Sequence, residues 1–144
     1  MTTTTDVPRP VPAMPDSPLY QAYFAGLREQ AIRVPRCTDC GALQWPPREL
    51  CGRCQGSSFE QVDVPTVGEV YTYTVMNRAF HPWFRDKVPY GAAVVEVARG
   101  VRILGRYAGD DVESLHCGQR MVAVFDDLGA DSGSIAWRPA RATQ

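Results

Sequence analysis

Apolar residues recur along this chain with two different periods, and the change between them falls near residue 59. Leu19, Tyr20, Tyr23, Phe24 and Leu27 return every three or four positions, which predicts an amphipathic helix. Ser17 followed by Pro18 supplies a hydroxyl N-cap and a proline at the first helical position. Pro35 stops the pattern, so residues 17–34 read as a helical arm. An aromatic stripe of this kind serves equally to pack on its own domain or to dock on a partner, which makes Tyr20, Tyr23 and Phe24 binding candidates. From Phe59 onward, short runs of β-branched and aromatic residues take over, at 67–76, 91–98, 101–107, 120–125 and 134–137. Arg99-Gly100 between two of these runs predicts a tight hairpin. Five or six short strands with little helix among them predict a small closed β-barrel or a sandwich, and five is the strand number of the OB-fold.

With 144 residues, 44% apolar and 22% charged, the chain is one ordinary soluble domain or a small module attached to one. A chain of this size buries roughly 68–70% of its unfolded surface, enough for a core of its own. Residues 1–16 hold four consecutive threonines and prolines at 8, 10, 12 and 15, and read as a flexible tail. The net charge of −1 supplies no global field toward nucleic acid or anionic lipid. The start of the sequence lacks the charged and apolar regions of a secretory signal, and the apolar stretch 88–98 is interrupted by Glu96. That stretch is far short of the ~20 residues that cross a bilayer. The expected location is therefore cytoplasmic, with no membrane partner, and in reducing surroundings five cysteines point to metal before disulfides.

Four of those cysteines are spaced as two knuckles: Cys37-x2-Cys40, ten residues, then Cys51-x2-Cys54. Two such knuckles can place four thiolates around one zinc ion at about 2.3 Å, and a site closed by four sulfurs is structural, not catalytic. Gly41 and Gly52 suit the close backbone turns that knuckles need. Rubredoxin-type iron takes the same four sulfurs; zinc is the commoner occupant of a ribbon. Cys117 stands apart and reads as a small buried hydrophobe, with His116 directed to the other side if the segment were a strand.

The segment 77–90 is too long for a plain connection and carries Phe80, His81, Trp83, Phe84 and Tyr90. Its composition is that of an interface core, with Trp83 as the expected anchor and His81 available to a ligand. Arg102 and Arg106 lie four apart in one predicted strand, so they share a face and could meet phosphates. No nucleophile elbow, phosphate-cradling glycine loop or His-Glu-x-x-His helix occurs. Asp110, Asp111, Glu113, Asp126, Asp127 and Asp131 read as solvated turns at strand ends. No catalytic residue is assigned, and the chain reads as a binding or scaffold module.

The order of parts resembles a bacterial and archaeal family that joins an N-terminal helix, a rubredoxin-like zinc ribbon and an OB-fold. The resemblance runs through Cys37-Thr-Asp-Cys40-Gly41, Pro46-Pro47-Arg48 and Cys51-Gly-Arg-Cys54. It continues through Gly68-Glu-Val-Tyr71-Thr-Tyr-Thr-Val75, Pro89-Tyr90, Gly100-Val-Arg-Ile-Leu-Gly105 and Gly118-Gln-Arg-Met-Val-Ala-Val-Phe125. Gly52 departs from the pattern, standing where the family often has proline. On this resemblance the domains are a tail at 1–16, the arm at 17–34, the ribbon at 35–59 and the OB-fold at 60–144. The resemblance implies one structural zinc and a non-catalytic accessory subunit in a hetero-oligomer with a thiolase-like protein. That partner would act on acyl-CoA thioesters, for example in retro-aldol cleavage of a steroid side chain or in acyl transfer, with coenzyme A contacted jointly.

A ribbon beside an OB-fold also describes nucleic-acid-binding modules, the alternative class. Single-strand binders need a basic groove with stacking aromatics. Residues 58–144 hold nine basic and eleven acidic side chains, which is the wrong field for that role.

Overall fold

In a computed structural model, which describes residues 16–127 and 133–141, the apolar stripe becomes a 3-10 turn (Pro18–Tyr20) leading into helix α1 (Gln21–Arg28). All of the expected tail except Asp16, together with Asp131, lies outside the described residues. The Ser17 hydroxyl makes no capping bond; its carbonyl oxygen instead accepts from the Tyr20 N–H at 3.0 Å. The helix is also shorter than the arm expected over 17–34. It closes in a Schellman motif, with Ala31 N–H on Gly26 O at 2.8 Å and Gln30 N–H on Leu27 O at 3.1 Å. Gln30 takes the left-handed position with φ 59°.

Beyond that turn the chain enters strand β1 (Ile32–Cys37), which pairs antiparallel with β2 (Phe59–Val64). Pro35, expected to end a helix, lies inside this strand. Its carbonyl accepts from Gln44 N–H at 2.9 Å, so its missing N–H falls on the side away from β2 and the ladder loses nothing. Ile32 and Val34 are fully buried, while Arg33 points outward and joins Glu29 (2.8 Å) and Asp63 (2.9 Å).

Strands β3 (Val67–Met76), β4 (Tyr90–Ala98), β5 (Val101–Tyr107), β6 (Arg120–Asp127) and β7 (Gly133–Pro139) form a closed barrel in the order β3-β4-β5-β7-β6. Among the described residues, β5 and β7 pair parallel and the other barrel neighbours antiparallel. This is the five-stranded OB-fold, the barrel alternative of the two that the strand count allowed. The Arg99-Gly100 hairpin is present between β4 and β5. In β4 the burial alternates: Gly91, Ala93, Val95 and Val97 are buried, and Ala92, Val94 and Glu96 between them are less so. Trp137 is fully buried, and its Nε1–H donates to Ile103 O at 3.2 Å, so the largest side chain in the core leaves no polar atom unpaired. The same apolar cluster runs on through Tyr23 and Leu27 of α1 to Ile32 and Val34 of β1.

Gly68 sits where β3 is flanked by both β4 and β6, and a Cβ there would collide with the Glu96 carbonyl oxygen and carbon. Gly68→Ala should therefore destabilise the barrel by about 1–3 kcal/mol. The expected reading is a lower urea midpoint with an unchanged m-value.

Candidate metal centre and docking loop

The two knuckles fold alike. Cys37 N–H bonds Ala42 O (2.9 Å) and Gly41 N–H bonds Cys37 O (2.8 Å); Cys51 N–H bonds Gly56 O (2.8 Å) and Gln55 N–H bonds Cys51 O (2.9 Å). Each loop needs a left-handed residue directly after its second cysteine. Gly41 fills that place with φ 76°, and Gln55 fills it with φ 62°. Gly52, expected to serve the second turn, has no such conformation; its N–H donates to Gln44 Oε1 at 3.0 Å.

These turns bring all four Sγ atoms within 4.8 Å of one another, with 3.5 Å between Cys37 and Cys54 and 3.6 Å between Cys40 and Cys51. A tetrahedron with sulfur about 2.3 Å from a central zinc has edges of about 3.8 Å, so the cage has the right size. Donors point at the sulfurs: Arg53 N–H (3.3 Å) and Gln44 Nε2–H (3.3 Å) at Cys51, and Gly56 N–H (3.4 Å) at Cys54. Such donors stabilise thiolate charge. Backbone hydrogen bonding at Cys54, opposed by desolvation and aided by Arg53 N–H, brings the Cys51 thiol down to about 6. At Cys54 the Gly56 N–H pulls the other way, but hydrogen bonding with Cys37, desolvation and the remaining sulfurs push that thiol up to about 12. Four thiols this close cannot all ionise without a cation among them. The donor set therefore fits a divalent, thiophilic ion.

Gln44 is a residue that sequence reasoning missed. It is buried, and its one amide group serves both a sulfur and a backbone N–H of the opposite knuckle. A single glutamine among ten intervening residues carries no sequence signal; only the fold reveals it. Trp45 was missed for the same reason: its ring stands 4.6 Å from Tyr23 and 6.1 Å from Tyr20. Tyr23 is thus buried inside the chain, where burial raises its pKa, while Tyr20 and Phe24 are half-buried against the same cluster.

In the loop between β3 and β4, His81 Nδ1 accepts from Trp83 N–H (3.2 Å) and starts a 3-10 turn, Pro82–Phe84. Trp83, the expected anchor, is partly covered. Lys87 Nζ lies 3.9 Å from its ring centroid and also donates to Trp83 O at 2.9 Å, and Phe84 meets its edge. Phe84 in turn stacks on Tyr90 at 4.4 Å. Phe80 is the presented ring, 77% exposed, with Arg78 beside it. Behind the loop, an open cleft of about 770 Å³ lies between Trp83, Tyr90 and Tyr107. Its lining carries four carboxylates against Lys87 and Arg106, a balance that disfavours a polyanion.

Arg102 and Arg106 do share the outer face of β5, and each is paired with a carboxylate. Arg102 bonds Glu96 at 2.8 Å and covers the Tyr71 ring at 3.8 Å; Arg106 meets Asp126 at 3.3 Å. Cys117 is exposed in a turn, contrary to its reading as a buried hydrophobe, and its Sγ approaches Tyr71 O at 3.6 Å. His116 Nδ1 is 2.7 Å from Ser114 O, so it too is engaged locally and does not face the cysteine as a base.

Replacing Gln44 by alanine removes the amide bond to Cys51 and strands the Gly52 N–H. Metal affinity in chelator competition should fall about 10–100-fold while the four sulfurs remain. Cys40→Ser should lose the metal and unfold the ribbon, seen as a lower melting temperature together with less than half an equivalent of bound metal in elemental analysis.

Comparison with known proteins places these parts. Residues 24–60 match the family model "ChsH2, rubredoxin-like zinc ribbon domain", and residues 61–126 match "ChsH2, C-terminal OB-fold domain". A DUF35 domain-containing scaffold protein of Methanocaldococcus jannaschii is 34% identical over 67% of this chain and 68% of its own length. A probable enoyl-CoA hydratase alpha subunit of Thermomonospora curvata is 30% identical over 76% of this chain but only 33% of its own length. A benzoylsuccinyl-CoA thiolase subunit, BbsA, of Thauera aromatica is 27% identical over 57% of this chain and 55% of that one. Among solved structures, a chain of the Ltp2-ChsH2(DUF35) aldolase superposes with a TM-score of 0.79 at 25% identity, covering 91% of this chain and all of that one. With its zinc ribbon, its OB-fold and its scaffold relatives in the same order, this chain belongs to the DUF35 family of ChsH2-type proteins.

Proposed function

We propose that this protein is a non-catalytic accessory subunit that binds and stabilises a thiolase-superfamily enzyme acting on an acyl-CoA thioester, by retro-aldol cleavage or by acyl transfer. The observation that carries this reading is the likeness over 91% of the chain to one component of an aldolase complex. The scaffold and thiolase-subunit relatives support it from sequence. One zinc ion on Cys37, Cys40, Cys51 and Cys54 would serve structure alone, since four sulfurs leave no open coordination position.

Docking is assigned to the aromatic loop. Phe80 is offered to the partner, and Trp83, Phe84 and Lys87 brace the loop from beneath. His81 holds the turn rather than meeting a ligand. Tyr20 and Phe24 keep part of their surface for contact, whereas Tyr23 belongs to the chain's own core. Coenzyme A is held mainly by the partner: Arg102 and Arg106 are each paired with a carboxylate, which offsets the attraction of either for a phosphate. The same pairing weighs against a nucleic-acid groove on the outer face of β4 and β5. Among the described residues no helix is long and apolar enough to cross a membrane.

A tagged chain drawn from native lysate should recover a thiolase-fold protein in near-stoichiometric amount, identified by mass spectrometry. Phe80→Ala should leave the melting temperature unchanged and weaken that complex at least about tenfold, the effect of losing a central aromatic contact. Recovery of nucleic acid that persists at physiological salt, in place of such a protein, would overturn the reading.

A further inference from the structure

One edge of the barrel is left open. Strand β3 pairs with β4 from Glu69 to Met76, but with β6 only from Val67 to Glu69. The chain before β6 prolongs that side by one residue, through Val70 N–H to Gln119 O (2.9 Å) and Gly118 N–H to Val70 O (2.8 Å). A bulge between Val70 and Thr72 follows. Among the described residues, no backbone hydrogen bond then joins residues 72–76 to anything but β4. Residues 71–74 are all exposed, including Tyr71 at 53% and Tyr73 at 40%.

Solvated edge strands are normally guarded by charge, by proline or by brevity. The segment Val70-Tyr-Thr-Tyr-Thr-Val-Met76 has none of these beyond its bulge: it holds no charged residue and no proline, and its tyrosines, threonines and valines favour extended pairing. A self-pairing of five residues falls well below the roughly 1,000 Å² that a stable interface buries. The edge, however, runs straight into the loop that presents Phe80, so one partner spanning both would cover a single continuous surface.

We infer that the free edge of β3 takes up an added strand: an extended, uncharged segment of the thiolase-like partner, pairing through its backbone with residues 72–76. Backbone bonds would supply the affinity, and Tyr71 and Tyr73 would select small or apolar side chains on the incoming strand. This inference rests on the accessory-subunit reading.

The test uses the full chain, free and in complex with the partner recovered from lysate, and follows amide hydrogen exchange of the β3 peptide by mass spectrometry. The expected result is at least tenfold slower exchange at 72–76 in the complex. Two variants accompany it, Tyr73→Pro and Thr74→Pro. Successive N–H groups of a strand point to opposite edges, so one variant breaks a β4 bond and the other removes only an edge donor. The variant that keeps the parent melting temperature should lose at least tenfold in affinity for the partner. A complex that forms with unchanged exchange at 72–76 overturns the edge inference and leaves the accessory reading standing. Protection that appears in the free chain and rises with its concentration also overturns it, in favour of a second copy. Failure to recover any thiolase-fold partner overturns both.

Discussion

Four sulfurs must stand within 4.8 Å of one another, and the rest of the ribbon follows from that constraint. The segment between β1 and β2 meets the core at its middle, where Leu43 and Trp45 lean on the apolar cluster; Leu50 is exposed, and apart from the cysteines only Gln44 and a proline are buried there. That contact alone does not fix the geometry of the knuckles. What fixes it is the concentration of negative charge that the knuckles create, which a bound dication neutralises and water does not. The N–H donors at Cys51 and Cys54, the left-handed backbone at Gly41 and Gln55, and the doubly used amide of Gln44 are all subordinate to holding that cage.

The barrel obeys a different logic, that of ordinary apolar burial with alternation, and on the outer face of β4 and β5 charge is balanced locally. The arginines there are matched by Glu96 and Asp126, and the one lysine of the chain rests on Trp83. Where charges are cancelled in pairs, as at Arg102 and Arg106, the long-range pull of each is small.

Much of this was legible in the sequence, for identifiable reasons. The cysteine spacing carries its chemistry directly, because ligand identity and loop length are local properties. The five barrel strands showed through because β-branched runs separated by turns do not depend on their surroundings; even the Arg99-Gly100 hairpin could be read. What failed was decided by tertiary context. The helix was extended to residue 34 because Pro35 looked like its stop, whereas Gln30, a residue without turn propensity, ends it and Pro35 is absorbed into a strand. Which ring of the 77–90 loop stands outermost is likewise a tertiary matter: Lys87 lies over Trp83, and Phe80 is the exposed one. Arg102 and Arg106 were placed on the right face, but their partners come from β4 and β6 and cannot be read from spacing within β5.

The unbroken cluster from Trp137 through Tyr23 and Leu27 to Ile32 and Val34 has a mechanical consequence. Helix α1, strands β1 and β2 and the barrel share one packed core, and Leu43 and Trp45 of the stretch between the knuckles lean on it. Heat or denaturant therefore meets one cooperative unit, in which loosening at the sulfur cage reaches the barrel through those two side chains.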